Sequence, residues 1–150
     1  VGSWEFVGTR ESRAPMVSAV TLIRSTALSD TVQYAYAAAV PADARLIFFA
    51  GSCPLDIAGA TVGEGNYARQ AEQCIKNMIA ALHEAGATIE DIVCTRVLVA
   101  STDRKDLVSA WEVVRQAFGV HDAPSTLLGV TVLGYENQLV EIEAVAAVRN

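Results

Sequence analysis

Between Leu139 and Val148 the chain reads L-V-E-I-E-A-V-A-A-V, an alternation with the period of a β-strand. One face carries Val140, Ile142, Ala144, Ala146 and Val148; the other carries Leu139, Glu141, Glu143, Val145 and Ala147. Two carboxylates thus stand side by side on a strand otherwise apolar enough to be buried. Burying a carboxylate is unfavourable unless it is paired or hydrogen-bonded, so the glutamate face is the first place to look for a site. Ile92–Ala100 is a second, β-branched strand. There Val93, Thr95, Val97 and Val99 share one face, and Cys94, Arg96, Leu98 and Ala100 share the other. Ser18–Arg24, Val32–Val40, Arg45–Ala50 and Ser125–Leu133 predict further strands. Pro41-Ala42-Asp43 and Gly134–Asn137 read as turns, and Ile57–Gly65 as a glycine-containing loop.

A different period governs the stretch from about Asn66 to Ala85. Tyr67, Ala71, Cys74, Met78, Leu82 and Ala85 recur at three- and four-residue steps, which makes one apolar stripe of a helix. Gly86 is placed to end it. Ser101-Thr102-Asp103 offers N-caps for a second helix, with Leu107, Trp111, Val114 and Phe118 at helical spacing. The order β-β-β-α-β-α-β-β predicts an α+β fold in which both helices cover one face of a single sheet. The Val140/Ile142/Ala144 side should meet the helices. The opposite side, with the glutamates, Leu98, Leu128 and Val145, is left uncovered and partly apolar, which predicts an oligomer.

Length and composition narrow the class. The 150 residues fit one domain over 17–150, with Val1–Met16 as an extension or appended arm. Hydrophobic residues make up 52% of the chain, enough for a real core. No apolar run approaches a membrane span, and Val1–Val20 has no apolar segment of the kind a secretory signal carries. The net charge of −6, without a basic cluster, disfavours nucleic acid as a partner. Cys53, Cys74 and Cys94 are odd in number and widely spaced, fitting neither a disulfide framework nor a zinc pattern. No metal is expected, and a reducing, cytoplasmic setting is the natural expectation.

Several blocks together resemble the Rid family (reactive intermediate deaminases, also called YjgF-like). They are Gln33–Val40 (Q-Y-A-Y-A-A-A-V), Phe49–Asp56 (F-A-G-S-C-P-L-D), Ala80–Ala100 and Val140–Ala146 (V-E-I-E-A-V-A), within a match from about Val32 to Val148. The resemblance implies a chorismate-mutase-like fold and a barrel-like homotrimer with small-ligand pockets between subunits. It also implies hydrolysis of imines and enamines to a keto acid and ammonia, with no cofactor. Active members clamp a substrate carboxylate with an arginine two residues after a proline on the penultimate strand, as guanidinium geometry suits. Here that stretch is Ala123-Pro124-Ser125-Thr126, so Thr126 stands at the arginine position. By the same resemblance Glu141 matches the glutamate and Tyr36 the tyrosine that place water and substrate. Ala50 stands for a small hydroxyl residue and Leu128 for a frequent cysteine. The pocket's shape is thus expected without its anion clamp, and the ligand-binding set becomes Thr126, Arg96, Ala50 and Leu128.

For some residues two readings stand. Glu141 either positions water in a cleft or is a carboxylate paired at an interface, whereas Glu143 reads as structural. Arg96 points to the glutamate side, and an ion pair with Glu141 or Glu143 is favoured over a guanidinium free to hold an anionic ligand. Trp111 reads as core packing on its helix stripe. His83 and His121 are isolated and read as surface or packing residues. Cys53 has nothing near it in sequence to depress its pKa, and Asp56 reads as a turn cap. The functional alternatives are an imine hydrolase of altered substrate and a non-catalytic metabolite-binding or regulatory module.

Overall fold

A computed structural model describes residues 17–149. The expected extension over residues 1–16 lies outside the described residues. The elements are β1 (Thr21–Ile23), β2 (Ala37–Ala39), β3 (Arg45–Phe48), α1 (Tyr67–Glu84), a single 3₁₀ turn (Ile89–Asp91), β4 (Ile92–Ala100), α2 (Arg104–Phe118), β5 (Ser125–Val130) and β6 (Val140–Val148). Each helix starts where a side chain satisfies an orphan amide. Asn66 accepts from the Arg69 amide at 3.0 Å, and Asp103 accepts from the Lys105 amide at 2.9 Å. Gly86 follows α1 with a φ of 76°, the left-handed turn that only glycine adopts without strain.

The principal sheet has four strands in the order β3-β6-β4-β5. β6 runs antiparallel to both neighbours, while β4 and β5, joined through α2, are parallel. Both helices pack on one face. Cys74, Met78 and Leu82 of α1 and Ala110, Val114 and Phe118 of α2 meet Val97, Val99, Val140, Ile142 and Ala144 in one core. Each fully buried large side chain there, such as Met78, Leu82 or Ile142, contributes about 1.5–3 kcal/mol relative to exposure.

The expected α+β class with two helices on one sheet face is therefore observed, with two corrections of detail. First, the strands do not form a single sheet: β1 and β2 pair with each other as a separate two-stranded ribbon. The ribbon is tethered to the turn before β5. The Ala35 amide donates to the Asp122 carbonyl at 2.7 Å, and Arg24 makes a two-point ion pair with the Asp122 carboxylate. That tether holds Tyr34 and Tyr36 beside the β5 end of the sheet, with a cleft between them and β5. Second, a bulge interrupts the β4–β6 pairing between Ile92 and Cys94. It sends Ile92 into the core, fully buried, in place of Val93. The strand over Ser125–Leu133 also stops early, at Val130.

One polar side chain organises the middle of the fold. Gln70 is fully buried on α1, donates to the carbonyls of Gly63 (3.3 Å) and Asn137 (2.9 Å), and accepts from the Leu139 amide (2.7 Å). It thereby pins the loop before α1 and the entry to β6. No helix among the described residues is long and apolar enough to cross a membrane.

Candidate functional site

The uncovered face of the sheet is laid out by strand register. β4 sets Arg96 opposite Glu143 of β6 and opposite Thr126 of β5; one row on, Leu98 stands between Glu141 and Leu128. The two glutamates and Val145 share this open face, as the alternation predicts. Arg96 donates from Nε to Glu143 Oε2 at 3.0 Å and from an η nitrogen to Oε1 at 3.5 Å. The ion-pair reading of Arg96 is thus the geometry observed, with Glu143 as partner. Both side chains remain accessible in the single chain, at 57% and 38%.

Glu141 sits in a tighter setting. After β3 the chain runs back beside β6: the Ser52 amide donates to the Ile142 carbonyl at 2.7 Å, and the Ile142 amide donates to the Ser52 carbonyl at 3.0 Å. This brings Gly51 against the glutamate so closely that a Cβ there would lie 2.7 Å from Glu141 Cδ. It also brings the Cys53 thiol within 2.9 Å of Glu141 Oε1, to which it donates. Gln138 donates to the same oxygen at 3.4 Å. Asn77 of α1 holds the segment from behind by donating to the carbonyls of Cys53 and Leu55, both at 2.8 Å. Burial, followed by the hydrogen bond to the Glu141 carboxylate, pushes the Cys53 thiol up to about 12. Cys53 is therefore a proton donor at neutral pH and not a nucleophile. Glu141 Oε2 has no hydrogen-bond partner among the described residues, so it is available to a water or a ligand.

A second locus is the cleft of about 690 Å³ between the ribbon and β5. Tyr36 and Tyr34 line it from the ribbon, Thr126, Ser125 and Leu127 from β5, Arg96 from β4 and Trp111 from α2. Its volume lies in the ordinary range for small-molecule sites. The Tyr36 hydroxyl donates to the Ser29 carbonyl. Ser125 and Thr95 share a hydrogen bond at 2.7 Å. Trp111 packs partly on the core, and its indole N–H donates to Gln33 at 2.9 Å. It is more than the core residue the helix stripe suggested, because it also forms one wall of the cleft.

Within one chain the structure brings Tyr36, Thr126 and Arg96 together and leaves Glu141 outside that cleft. Ala50, exposed just past β3, and Leu128, 38% exposed on β5, also lie outside it. Sequence reasoning missed the parts of the glutamate cluster contributed by Cys53 and Gln138, and the cleft residue Tyr34. The minor candidates fall where expected. His121 is buried against the Ile92 carbonyl at 2.8 Å, and Asp56 accepts from the amides of Ala58 and Ala60 as a turn cap. Among the described residues no group of His, Cys, Asp and Glu side chains is arranged to hold a metal ion.

Two helices on one face of a mixed sheet, with a tyrosine-lined cleft beside its edge strand, define a small α+β fold. The chain belongs to the Rid (YjgF-like) family: the family model described as endoribonuclease L-PSP matches residues 26–148. It is 31% identical over 131 residues to human 2-iminobutanoate/2-iminopropanoate deaminase, covering 87% of this chain and 93% of that protein. A Yersinia pestis protein of unknown function from the conserved Rid family superposes with a TM-score of 0.81 at 25% identity, over 87% of this chain and 99% of that one. Rv2704 of Mycobacterium tuberculosis, a member of the YjgF/YER057c/UK114 family, superposes with a TM-score of 0.59 at 31% identity, over 86% and 99% of the two chains.

Proposed function

We propose that the chain forms a homotrimer whose inter-subunit pockets take a small imine or enamine and hydrolyse it without a cofactor. In this reading the cleft lined by Tyr36 and Thr126 is completed by Glu141 from the uncovered face of a neighbouring subunit. The observation that carries it is the free Oε2 of Glu141 on a sheet face that leaves Phe48 74% and Leu46 48% exposed. Such a face favours burial against another copy. The human relative's name describes an imine deaminase, which supports the same chemistry here.

The reaction is the addition of water across a C=N bond. Glu141 orients the water, takes its proton as the oxygen attacks the imine carbon and passes that proton to the imine nitrogen; it then carries the hydroxyl proton of the resulting carbinolamine to the same nitrogen, so that ammonia leaves as the carbonyl forms. Tyr36 lines the substrate, and Thr126 donates a neutral hydrogen bond where an arginine would clamp a carboxylate. Loss of one desolvated charged contact costs about 2–5 kcal/mol, or roughly 30- to several-thousand-fold in affinity. The substrate is accordingly one without the carboxylate handle, met in the cytoplasm, a setting that suits the free thiols of Cys53, Cys74 and Cys94.

The test is ammonia release from freshly generated imines with and without a carboxylate. Turnover of the uncharged members, abolished in Glu141→Gln, is the expected result. Efficient breakdown of 2-aminoacrylate by the wild-type protein would overturn the altered-substrate reading. A second reading, a non-catalytic metabolite-binding module, draws on the separation of Glu141 from the cleft within one chain. No turnover of any imine, together with thermal stabilisation by a metabolite, would establish it instead.

A further inference from the structure

Glu141 is held by one of its two oxygens. Oε1 accepts from the Cys53 thiol at 2.9 Å and from the Gln138 amide at 3.4 Å, while Oε2 has no partner among the described residues. A carboxylate offers about four acceptor positions, so the donors are placed asymmetrically. The thiol has one proton and two acceptors in reach. The Gly51 carbonyl is farther away, at 3.5 Å, and uncharged, so the proton is directed to the carboxylate.

Both donors stand on fixed backbone. Cys53 follows Ser52, whose amide and carbonyl both bond to Ile142 of β6, and the Cys53 carbonyl accepts from Asn77 at 2.8 Å. Gln138 is buried; its side-chain oxygen accepts from the Tyr135 amide at 3.0 Å, and its nitrogen also donates to the Val140 carbonyl at 3.1 Å. Gly51 abuts the stem of the glutamate, where an added Cβ would lie 2.9 Å from Cγ. The two carboxylate oxygens are chemically equivalent, so this cage does not choose which of them is free. It fixes the plane of the carboxylate and the direction in which the free oxygen points.

We infer that Cys53 and Gln138 are positioning residues for Glu141: together they hold its carboxylate so that one oxygen is turned outward to meet the attacking water. The inference rests on the hydrolase reading above. In that reading Glu141 completes the cleft of a neighbouring copy. Cys53 and Gln138, which do not line the cleft, stand behind Glu141 on its own subunit and act only through it. Holding a reacting group in place matters because a displacement of about 1 Å can cost on the order of 100-fold in rate.

The test is steady-state ammonia release from freshly generated 2-iminobutane. In Cys53→Ala kcat should fall by roughly tenfold to 100-fold, with KM within about twofold of the wild type. Cys53→Ser keeps a donor and should recover most of the loss. Gln138→Met removes the longer of the two bonds and should lower kcat several-fold. Unchanged kcat in both Cys53→Ala and Gln138→Met, an effect confined to KM, or a serine variant no better than the alanine one would overturn the inference. A second readout needs no turnover. The S–H stretching band of Cys53, isolated by subtracting the Cys53→Ala spectrum on each background, should move to higher frequency in Glu141→Gln as the charged acceptor is lost. A protein that leaves 2-iminobutane intact but shows that shift removes the hydrolase reading and leaves Glu141 held as described. A band unmoved by Glu141→Gln overturns the positioning role whatever the turnover.

Discussion

Cys53 and Glu141 are 88 residues apart in sequence and 2.9 Å apart in space. Burial, and then the carboxylate beside it, push the thiol up to about 12, so almost no thiolate exists at neutral pH. Replacing Glu141 with glutamine removes the charge that disfavours the thiolate and leaves the burial. Alkylation of Cys53 by iodoacetamide should therefore be slow in the wild type and faster in Glu141→Gln, by about tenfold for each pKa unit recovered. Peptide-level mass spectrometry at pH 8 reads this directly. Gly51→Ala should act in the same direction, because its Cβ would push the glutamate side chain away from the thiol. Equal alkylation rates in all three proteins would show that the carboxylate does not control the thiol. None of this was visible in the local sequence, where no residue near Cys53 points to a partner 88 positions away.

Among the elements, legibility followed how much of each one's burial is decided by its own period. β4 was bounded at Ile92–Ala100 and α1 to within one residue at each end, because both bury a continuous stripe. The β4 bulge was not legible, since an inserted residue breaks the very alternation used to read the strand. β1 and β2 were overestimated: they form three-residue strands paired only with each other, and polar tethers position their flanks. Asp122 is the main tether. The Arg24 guanidinium beside it holds its carboxyl below the ordinary carboxylate range. A depressed carboxylate contributes stability that is complete above the unfolded-state pKa of about 4 and is lost as pH falls through its own lower value. The pair is largely exposed on the arginine side, so solvent screening keeps it below about 1 kcal/mol. The ribbon amides over residues 21–39 should accordingly lose hydrogen-exchange protection at low pH before the helices do. Asp122→Asn should lower that protection at pH 7 and flatten its pH dependence. A ribbon that opens only with the global transition would contradict this.

For the whole molecule the open sheet face is the dominant unsatisfied feature. Leu46, Phe48 and Leu128 are exposed there beside the Arg96–Glu143 pair. Placing a carboxylate in that face by Phe48→Glu should abolish the proposed self-association in sedimentation, with the helix content retained. Arg96→Ala is expected to weaken the assembly and lower its melting temperature, because Glu143 would be left unpaired as the face is covered. An Arg96→Ala protein with unchanged assembly and melting temperature would place the pair outside the interface.

The period of two along β4 and β6 and the period near 3.6 along both helices fixed the elements, their buried faces and the glutamates' orientation, because those depend only on near neighbours in the chain. What packed beside Glu141, which carboxylate took Arg96, and how Tyr34, Tyr36 and Trp111 came to line one cleft were decided by tertiary structure. Each joins residues tens of positions apart. Such contacts arise only once strand order, register and the Asp122 tether have closed the intervening loops, and no local pattern of hydrophobic and polar residues encodes that closure.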